Sequence, residues 1–345
     1  MQNERLSNNI VFSGPRSVVV VEEPVPVLQG GHVLCKARKS LLSIGTETFC
    51  LKGEYDQGTY WEEYIRYPFH SGYSMAAEVV AVAEDVSAWK VGDRVTSLHE
   101  HRQFFVADER ELFAIPDDIS DVEATWATLA RTTQVAVRRA ELQLGETAVV
   151  IGLGILGQLV TQYLRLSGMR RIIAVDTSEH RGSLAHLGGA THIVCGTAKE
   201  ARGEIEAITG GRMADVVFDI TGHPSVLSPA TLLLRKLGRL VLLGDSPQPS
   251  LQALGPRVVG DSLSIIGIHG LMYPDHPSPF NPWTAAEMTA LFFDYLRQKR
   301  MEVAHLVSRT VSPLDAIATY ESLLAAPGRD VGIVFDWEAL NNPPS

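Results

Sequence analysis

Apolar positions along the chain change their rhythm twice. Up to about Glu123 they come in short runs broken by glycine and proline: SVVVVEEP, HVLCKARKS, AAEVVAVAED and DRVTSL. Short β-rich runs parted by turn signals such as Gly30-Gly31 and Val91-Gly92-Asp93 predict a twisted, barrel-like β domain over residues 1–123. Over residues 124–270 strand and helix patterns alternate instead. TAVVI leads into a helix from near Ile155; RIIAV follows, then a helix containing Ser183–Leu187. HIV, a polar helix over Lys199–Ile208, DVVFDI, a helix over Val226–Lys236, GRLVLLG and SLSIIGI complete the series. Nearly continuous apolar strands between helices mean a parallel sheet covered on both faces. After a Pro-rich loop (YPDHPSPFNP), residues 271–345 carry helices over Ala285–Lys299 and Pro313–Ala325 and a last strand, VGIVFDW. That tail is expected to return and complete the β domain.

Composition narrows the function classes. The chain has 345 residues, 45% apolar and 20% charged, which suits two globular domains and excludes disorder. Thirty basic against 40 acidic side chains give a net charge of −10, with no basic stripe for nucleic acid. Cys35, Cys50 and Cys195 are far apart and odd in number, so they form neither a disulfide framework nor a CxxC metal knuckle. The polar start MQNERLSNN lacks a signal-peptide core, and the longest strongly apolar stretch, Ala148–Gly157, is too short to span a bilayer. A soluble cytoplasmic protein with no membrane partner is expected.

The stretch AVVIGLGILGQLV contains Gly152-Leu153-Gly154-Ile155-Leu156-Gly157, a GxGxxG that follows a strand and opens a helix. In that context Gly152 permits the tight turn, Gly154 lets backbone approach a pyrophosphate, and Gly157 lets helix and strand pack closely. The N–H groups of the helix start, at Ile155 and Leu156, then face the phosphates. Nineteen residues past Gly157 stands Asp176, placed to accept bonds from adenosine ribose hydroxyls and to repel a 2′-phosphate. Arg181, five residues on, is the group that would accommodate that phosphate instead. The pattern favours NAD over NADP.

Taken in order along the chain, these and three further motifs resemble the medium-chain dehydrogenase/reductase superfamily. The markers are Ile44-Gly45-Thr46-Glu47, Gly72-Tyr73-Ser74-Met75-Ala76-Ala77-Glu78-Val79, Val91-Gly92-Asp93-Arg94-Val95 and the glycine turn. The variant Ser43–Glu47 looks most like a branch that includes bacteriochlorophyllide dehydrogenases and threonine- or sorbitol-dehydrogenase-like proteins. The resemblance implies an α/β fold, a Rossmann doubly wound parallel sheet plus a GroES-like catalytic domain completed by the C-terminus. It also implies cofactor contacts at Thr132, Thr221, Gly222, Gly244 and Ile268, with Arg131 and Thr132 beginning a helix beneath the nicotinamide.

The departures from the pattern are as informative. Zinc members carry a ligand cysteine, a ligand histidine and a third ligand where this chain has Ile44, Tyr73 and Ala127. Isoleucine and alanine offer Zn²⁺ no donor, so the chain is expected to be a zinc-free member. Side chains must then handle the proton. The candidates are Thr46, Glu47, Tyr73 and His99, with His99 suited to acid–base work because imidazole titrates near neutrality. Each has a plainer role open to it: a turn bond for Thr46, a backbone partner for Glu47, an aromatic plug for Tyr73, a surface loop for His99 and His101.

The leading expectation is hydride transfer between NAD(H) and a secondary alcohol or ketone, such as a polyol, sugar derivative or hydroxylated metabolite. The alternatives are reduction of a conjugated C=C bond or quinone, and a dinucleotide-binding protein without turnover. The partners expected are a small-molecule substrate and, through the apolar edge strand SLSIIGI, a second copy in a homodimer.

Overall fold

The structure is a computed structural model that describes residues 6–326 and 328–341. The first five residues of the polar start lie outside the described residues; from Leu6 the chain is strand. Strands β1 (Leu6–Gly14), β2 (Ser17–Pro24) and β3 (His32–Leu42) lead to helices α1 (Ile44–Lys52) and α2 (Tyr60–Tyr64). Five short strands follow: β4 (Phe69–His70), β5 (Met75–Val82), β6 (Arg94–Ser97), β7 (Phe104–Asp108) and β8 (Phe113–Ala114). Inward Val33, Cys35 and Ala37 of β3 share a core with Met75, Ala77, Val79 and Phe105. That period of two is what a strand with one face on the core requires.

Helices α3 (Asp121–Ala124) and α4 (Ala127–Arg139) carry the chain across to a second sheet. A capping box, Ser120 with Glu123, starts α3. Because α3 runs almost directly into α4, Arg131 and Thr132 lie a turn inside α4 and not at the helix start that the sequence suggested.

The second sheet is six parallel strands in the order β11-β10-β9-β12-β13-β14. They are β9 (Thr147–Ile151), β10 (Arg171–Asp176), β11 (His192–Cys195), β12 (Ala214–Asp219), β13 (Leu234–Leu242) and β14 (Ser264–Gly267). The connecting helices are α5 (Ile155–Leu166), α6 (Glu179–Leu187), α7 (Arg202–Thr209) and α8 (Leu227–Thr231). Central β9 and β12 are buried at every residue, in keeping with their apolar runs. One expectation fails here: the helix read over Val226–Lys236 ends at Thr231, and the apolar run that follows enters β13. Pairing with β12 overrides local helix preference. The register shifts between Ala214 and Val216, opposite a bulge in which Leu237 takes φ 61°.

The tail divides its contacts. Helix α9 (Ala285–Arg297) sends Phe292, Phe293 and Leu296 into a core with Ala127, Ala130, Leu159 and Tyr163 of α4 and α5. Strands β15 (Val307–Val311) and β16 (Gly332–Asp336) join the first domain's sheet, with β16 antiparallel to β3. Helix α10 (Ala316–Ala325) buries Tyr320 in that domain's core. Among the described residues, no helix is long and apolar enough to cross a membrane.

Candidate active site

The glycine turn sits at the carboxyl end of β9, where open α/β sheets hold their ligands. Gly152 has φ 90°, and a Cβ there would lie 2.7 Å from the Thr221 methyl; a Cβ on Gly157 would collide with the Gly152 carbonyl. Helix α5 starts at Ile155 with Gly154 as its N-cap and no side-chain cap. Its first backbone bond runs from Gln158 N–H to Gly154 O, so the N–H groups of Ile155, Leu156 and Gly157 have no partner within the helix. This is a cradle for an anion. Thr221, Gly222 and Gly244 converge beside Gly152 at the ends of β12 and β13. The Ile268 N–H donates to Leu242 O just past β14, and Thr132 packs against Gly270.

Asp176 ends β10 beside this turn. One carboxylate oxygen accepts from Leu153 N–H at 2.7 Å and the other from Ser178 N–H at 2.8 Å, which fixes the side chain at the mouth of the turn. Arg181 does not join it. Its guanidinium donates to the Asp330 carbonyl at 2.7 Å, toward the C-terminal segment. The arginine is thus engaged away from the ribose position for which it was considered.

Across the cleft, Ser43, Thr46 and Glu47 come together at the start of α1. The Tyr73 phenol donates to Ser43 Oγ at 2.6 Å and lies 3.2 Å from Thr46 Oγ1. Burial is the main cause that pushes the Tyr73 pKa up to about 12, against the lowering effect of those two hydroxyls. The phenol therefore holds its proton at neutral pH. Thr46 and Tyr73 are each half-buried.

Glu47, 1% exposed, lies behind them. It accepts from Ser43 N–H at 2.7 Å, from Tyr320 O–H at 2.5 Å, and stands 3.2 Å from His101 Nε2. The ring's other nitrogen is 2.8 Å from Ser40 Oγ, which also accepts from Trp337 Nε1 at 2.8 Å. A carboxylate only accepts, so the contact with Glu47 calls for a proton on His101 Nε2, and the Ser40 hydroxyl, which accepts from the indole, is free to donate to Nδ1. A Cβ on Gly72 would lie 2.6 Å from this ring, so the glycine beside Tyr73 makes the histidine's room.

His99 is not brought to this group. It stacks on Phe105 at 4.2 Å, with Nδ1 3.2 Å from Ser97 Oγ. It lines a separate pocket of about 380 Å³ with Pro26, Arg102 and Glu111. Burial there pushes its pKa down. The sequence favoured His99 for acid–base work, whereas the histidine that meets Glu47 is His101. Tyr320, Ser40 and Trp337 join the group without any local motif to mark them. The two-residue spacing of the histidines carries no information on which of them turns toward the carboxylate.

Two contacts tie the barrel side of the cleft to the second sheet. The Asp56 N–H donates to Pro247 O and its carboxylate accepts from Ser250 N–H, both at 2.8 Å. Tyr60 of α2 meets the His269 ring edge-on at 5.5 Å. These contacts join the segment leading into α2 to the loops that follow β13 and β14.

Two known families match successive parts of the chain. Residues 32–117 match the alcohol dehydrogenase GroES-like domain, and residues 156–285 match the zinc-binding dehydrogenase family. The chain belongs to the medium-chain dehydrogenase/reductase superfamily. Among curated relatives, it is 27% identical to sorbitol dehydrogenase of Bacillus subtilis over 289 residues, 75% of this chain and 80% of that protein. It is 26% identical to L-threonine 3-dehydrogenase of the same organism, over 78% of this chain and 85% of that one. The fold matches that of 2R,3R-butanediol dehydrogenase from Bacillus subtilis with a TM-score of 0.79 at 22% identity, covering 96% of this chain and 99% of that chain. Membership gives the coarse activity, an oxidoreductase of the dehydrogenase type. It does not carry the metal with it. The superfamily's zinc needs thiolate, imidazole or carboxylate donors, whereas the positions that the motif resemblance matches to its ligands hold Ile44, the Tyr73 phenol and Ala127. Among the described residues, no three His, Cys, Asp or Glu side chains are grouped to hold a metal ion. The donor set does not fit zinc.

Proposed function

We propose that this protein is a zinc-independent dehydrogenase that moves hydride between NAD(H) and a secondary alcohol or its ketone, the substrate being a polyol, a sugar derivative or a hydroxylated metabolite. The observation that carries the reading is the Tyr73 hydroxyl bonded to those of Ser43 and Thr46, and the family resemblance sets Tyr73 where zinc members carry a ligand histidine. Bound NAD(H) supplies the hydride chemistry. Tyr73 donates a proton to the ketone oxygen during reduction, and Thr46 and Ser43 orient the phenol. In the reverse direction the same oxygen receives the alcohol's proton. Because the phenol is protonated at neutral pH, reduction is the direction these side chains favour. A panel of ketones, conjugated enones and quinones, each assayed with NADH, tests this. Reduction of enones or quinones alone would shift the assignment to the C=C alternative, and no turnover with any of them would leave only dinucleotide binding.

The cofactor is NAD rather than NADP. The Asp176 carboxylate stands at the ribose end of the glycine turn, and Arg181 is committed to Asp330. Calorimetry should give tighter binding of NADH than of NADPH, and Asp176→Ala should erase the difference. The ratio of the two affinities is the quantity to read, because the substitution also frees the Leu153 N–H and loosens the turn. Tighter NADPH binding by the unmutated protein would reverse the assignment.

The working form is a metal-free homodimer in the cytoplasm. Strand β14 is the edge of the parallel sheet and exposes Ile265, which supports edge-to-edge pairing of two copies. Three free cysteines suit a reducing compartment. Light scattering and elemental analysis on one active sample should return twice the 37.7 kDa chain mass with far less than one zinc per chain. A monomer would remove the dimer; stoichiometric zinc whose chelation stops turnover would remove the metal-free mechanism.

A further inference from the structure

Arg131 is a buried cation without a counter-charge. It is 3% exposed. Its guanidinium lies over the Phe113 ring, 4.7 Å from the centroid, and makes one long bond to Thr128 Oγ1 at 3.5 Å. Its Nη1 is buried with no hydrogen-bond partner. Arg38, Arg94 and Arg239 are more exposed, yet each meets a carboxylate. No carboxylate among the described residues pairs with Arg131. Burial pushes its pKa down, and the one group opposing that is the Tyr273 phenol. Burying an unpaired charge is strongly disfavoured, so such a group calls for a partner that the folded chain itself does not supply.

Its place in the fold says where that partner comes from. Arg131 is four residues past Ala127 on α4 and so shares its face. Ala127 and Ala130 belong to the cluster on which Tyr73 packs. The next residue, Thr132, abuts Gly270 just past β14, and Tyr273 follows in the same segment. The guanidinium thus lies where α4, β8 and the segment after β14 meet, one helical turn, ~6 Å, along α4 from Ala127. One guanidinium balances one monoanion. A phosphate dianion would leave a net negative charge, and no second cation acts on Arg131 to offset it.

We propose that Arg131 binds a carboxylate carried by the substrate, so that the enzyme acts on hydroxy acids and their oxo acids, with the carboxylate held at Arg131 and the reacting oxygen at Tyr73. This deepens the alcohol–ketone reading and rests on it. A guanidinium can grip a carboxylate with two parallel bonds, which fixes orientation as well as charge.

The test uses the full chain saturated with NADH and does not depend on turnover. Sodium propionate should raise the melting temperature at constant ionic strength, and propionamide should not. Inorganic phosphate is the third probe. Arg131→Met should lose on the order of 10²-fold or more in propionate affinity, since it removes one partner of a buried charge pair. Arg131→Lys should recover part of it. Arg131→Met should also melt no lower than the parent without ligand, whereas a purely structural arginine would lower it. An equal propionate effect in parent and Arg131→Met, no propionate effect in the parent, or a preference for phosphate would each overturn the proposal. The kinetic arm compares an oxo acid with its methyl ester, the preference for the acid collapsing in Arg131→Met. Arg131-dependent propionate binding in a chain that reduces no carbonyl compound would refute the redox reading alone. Reduction of uncharged ketones without any propionate effect would refute the Arg131 assignment alone.

Discussion

Tyr73→Phe should lower kcat for ketone reduction by about 10²–10⁴-fold, the usual contribution of a positioned acid or base, while NADH affinity stays close to that of the parent. The substitution keeps the ring, which packs on the core cluster that includes Ala127 and Ala130, and deletes the one oxygen shared with Ser43 and Thr46. Any loss is therefore a loss of proton transfer and not of packing. The pH dependence follows from the direction of the pKa shift. With the phenol pushed up to about 12, the donor stays protonated through the neutral range, so its contribution to reduction does not vary there. Oxidation needs the deprotonated oxygen, whose population rises about tenfold per pH unit below that pKa, so the oxidative rate should climb into the alkaline range. Both features should vanish with Tyr73→Phe. His99→Ala is the comparison: its ring stacks on Phe105 in a separate pocket, and its effect should be far smaller than that of Tyr73→Phe. A Tyr73→Phe protein with normal kcat would end the assignment, and a dead His99→Ala protein with normal fold would restore the histidine.

Glu47→Leu should destabilise the protein by roughly 3–5 kcal/mol, a large part of the total stability of an ordinary domain. The carboxylate is buried and satisfies the Ser43 N–H, the Tyr320 O–H and the His101 Nε2–H together. Leucine leaves the Ser43 N–H and the His101 Nε2–H without this acceptor and Tyr320 with only the Ser71 hydroxyl at 3.3 Å, at about 1–3 kcal/mol for each donor left unpaired where no water replaces the carboxylate. Tyr320 has no escape by ionising, because burial, the main cause that pushes its pKa up, remains when the Glu47 carboxylate is gone. Glu47→Gln should fall between, since its amide oxygen can accept from one or two of the donors while its NH₂ faces the rest. Thermal unfolding should show a fall of roughly 10 °C for Glu47→Leu. A melting temperature unchanged from that of the parent would mean that water takes the carboxylate's place. Because Glu47 holds the first turn of α1, which carries Thr46, the same variant should also lower kcat.

What could be read in the sequence is what depends on local pattern. The buried runs TAVVI and DVVFDI announce central parallel strands because both faces are covered. The glycine turn with Asp176 announces a nucleotide cradle because each residue acts within about 25 positions of the others. The start of α5 at Ile155 and the place of β14 within SLSIIGI follow from the same local cues. Where an apolar run suits two conformations, as after Thr231, sequence alone could not decide; pairing with β12 did. The hydrogen-bonded group around Tyr73 and Glu47 was legible only in part. Thr46, Glu47 and Tyr73 lie in motifs, but the group around them is completed by Ser40, His101, Tyr320 and Trp337. Tyr320 stands 273 residues from Glu47 along the chain. Only the return of β16 beside β3 and of α10 into the same core brings those side chains to one point. For the same reason the choice between His99 and His101 belonged to the tertiary structure. Two imidazoles two residues apart have equal chemistry in the sequence, and it is the space over Gly72 that turns His101 toward the carboxylate and leaves His99 outside.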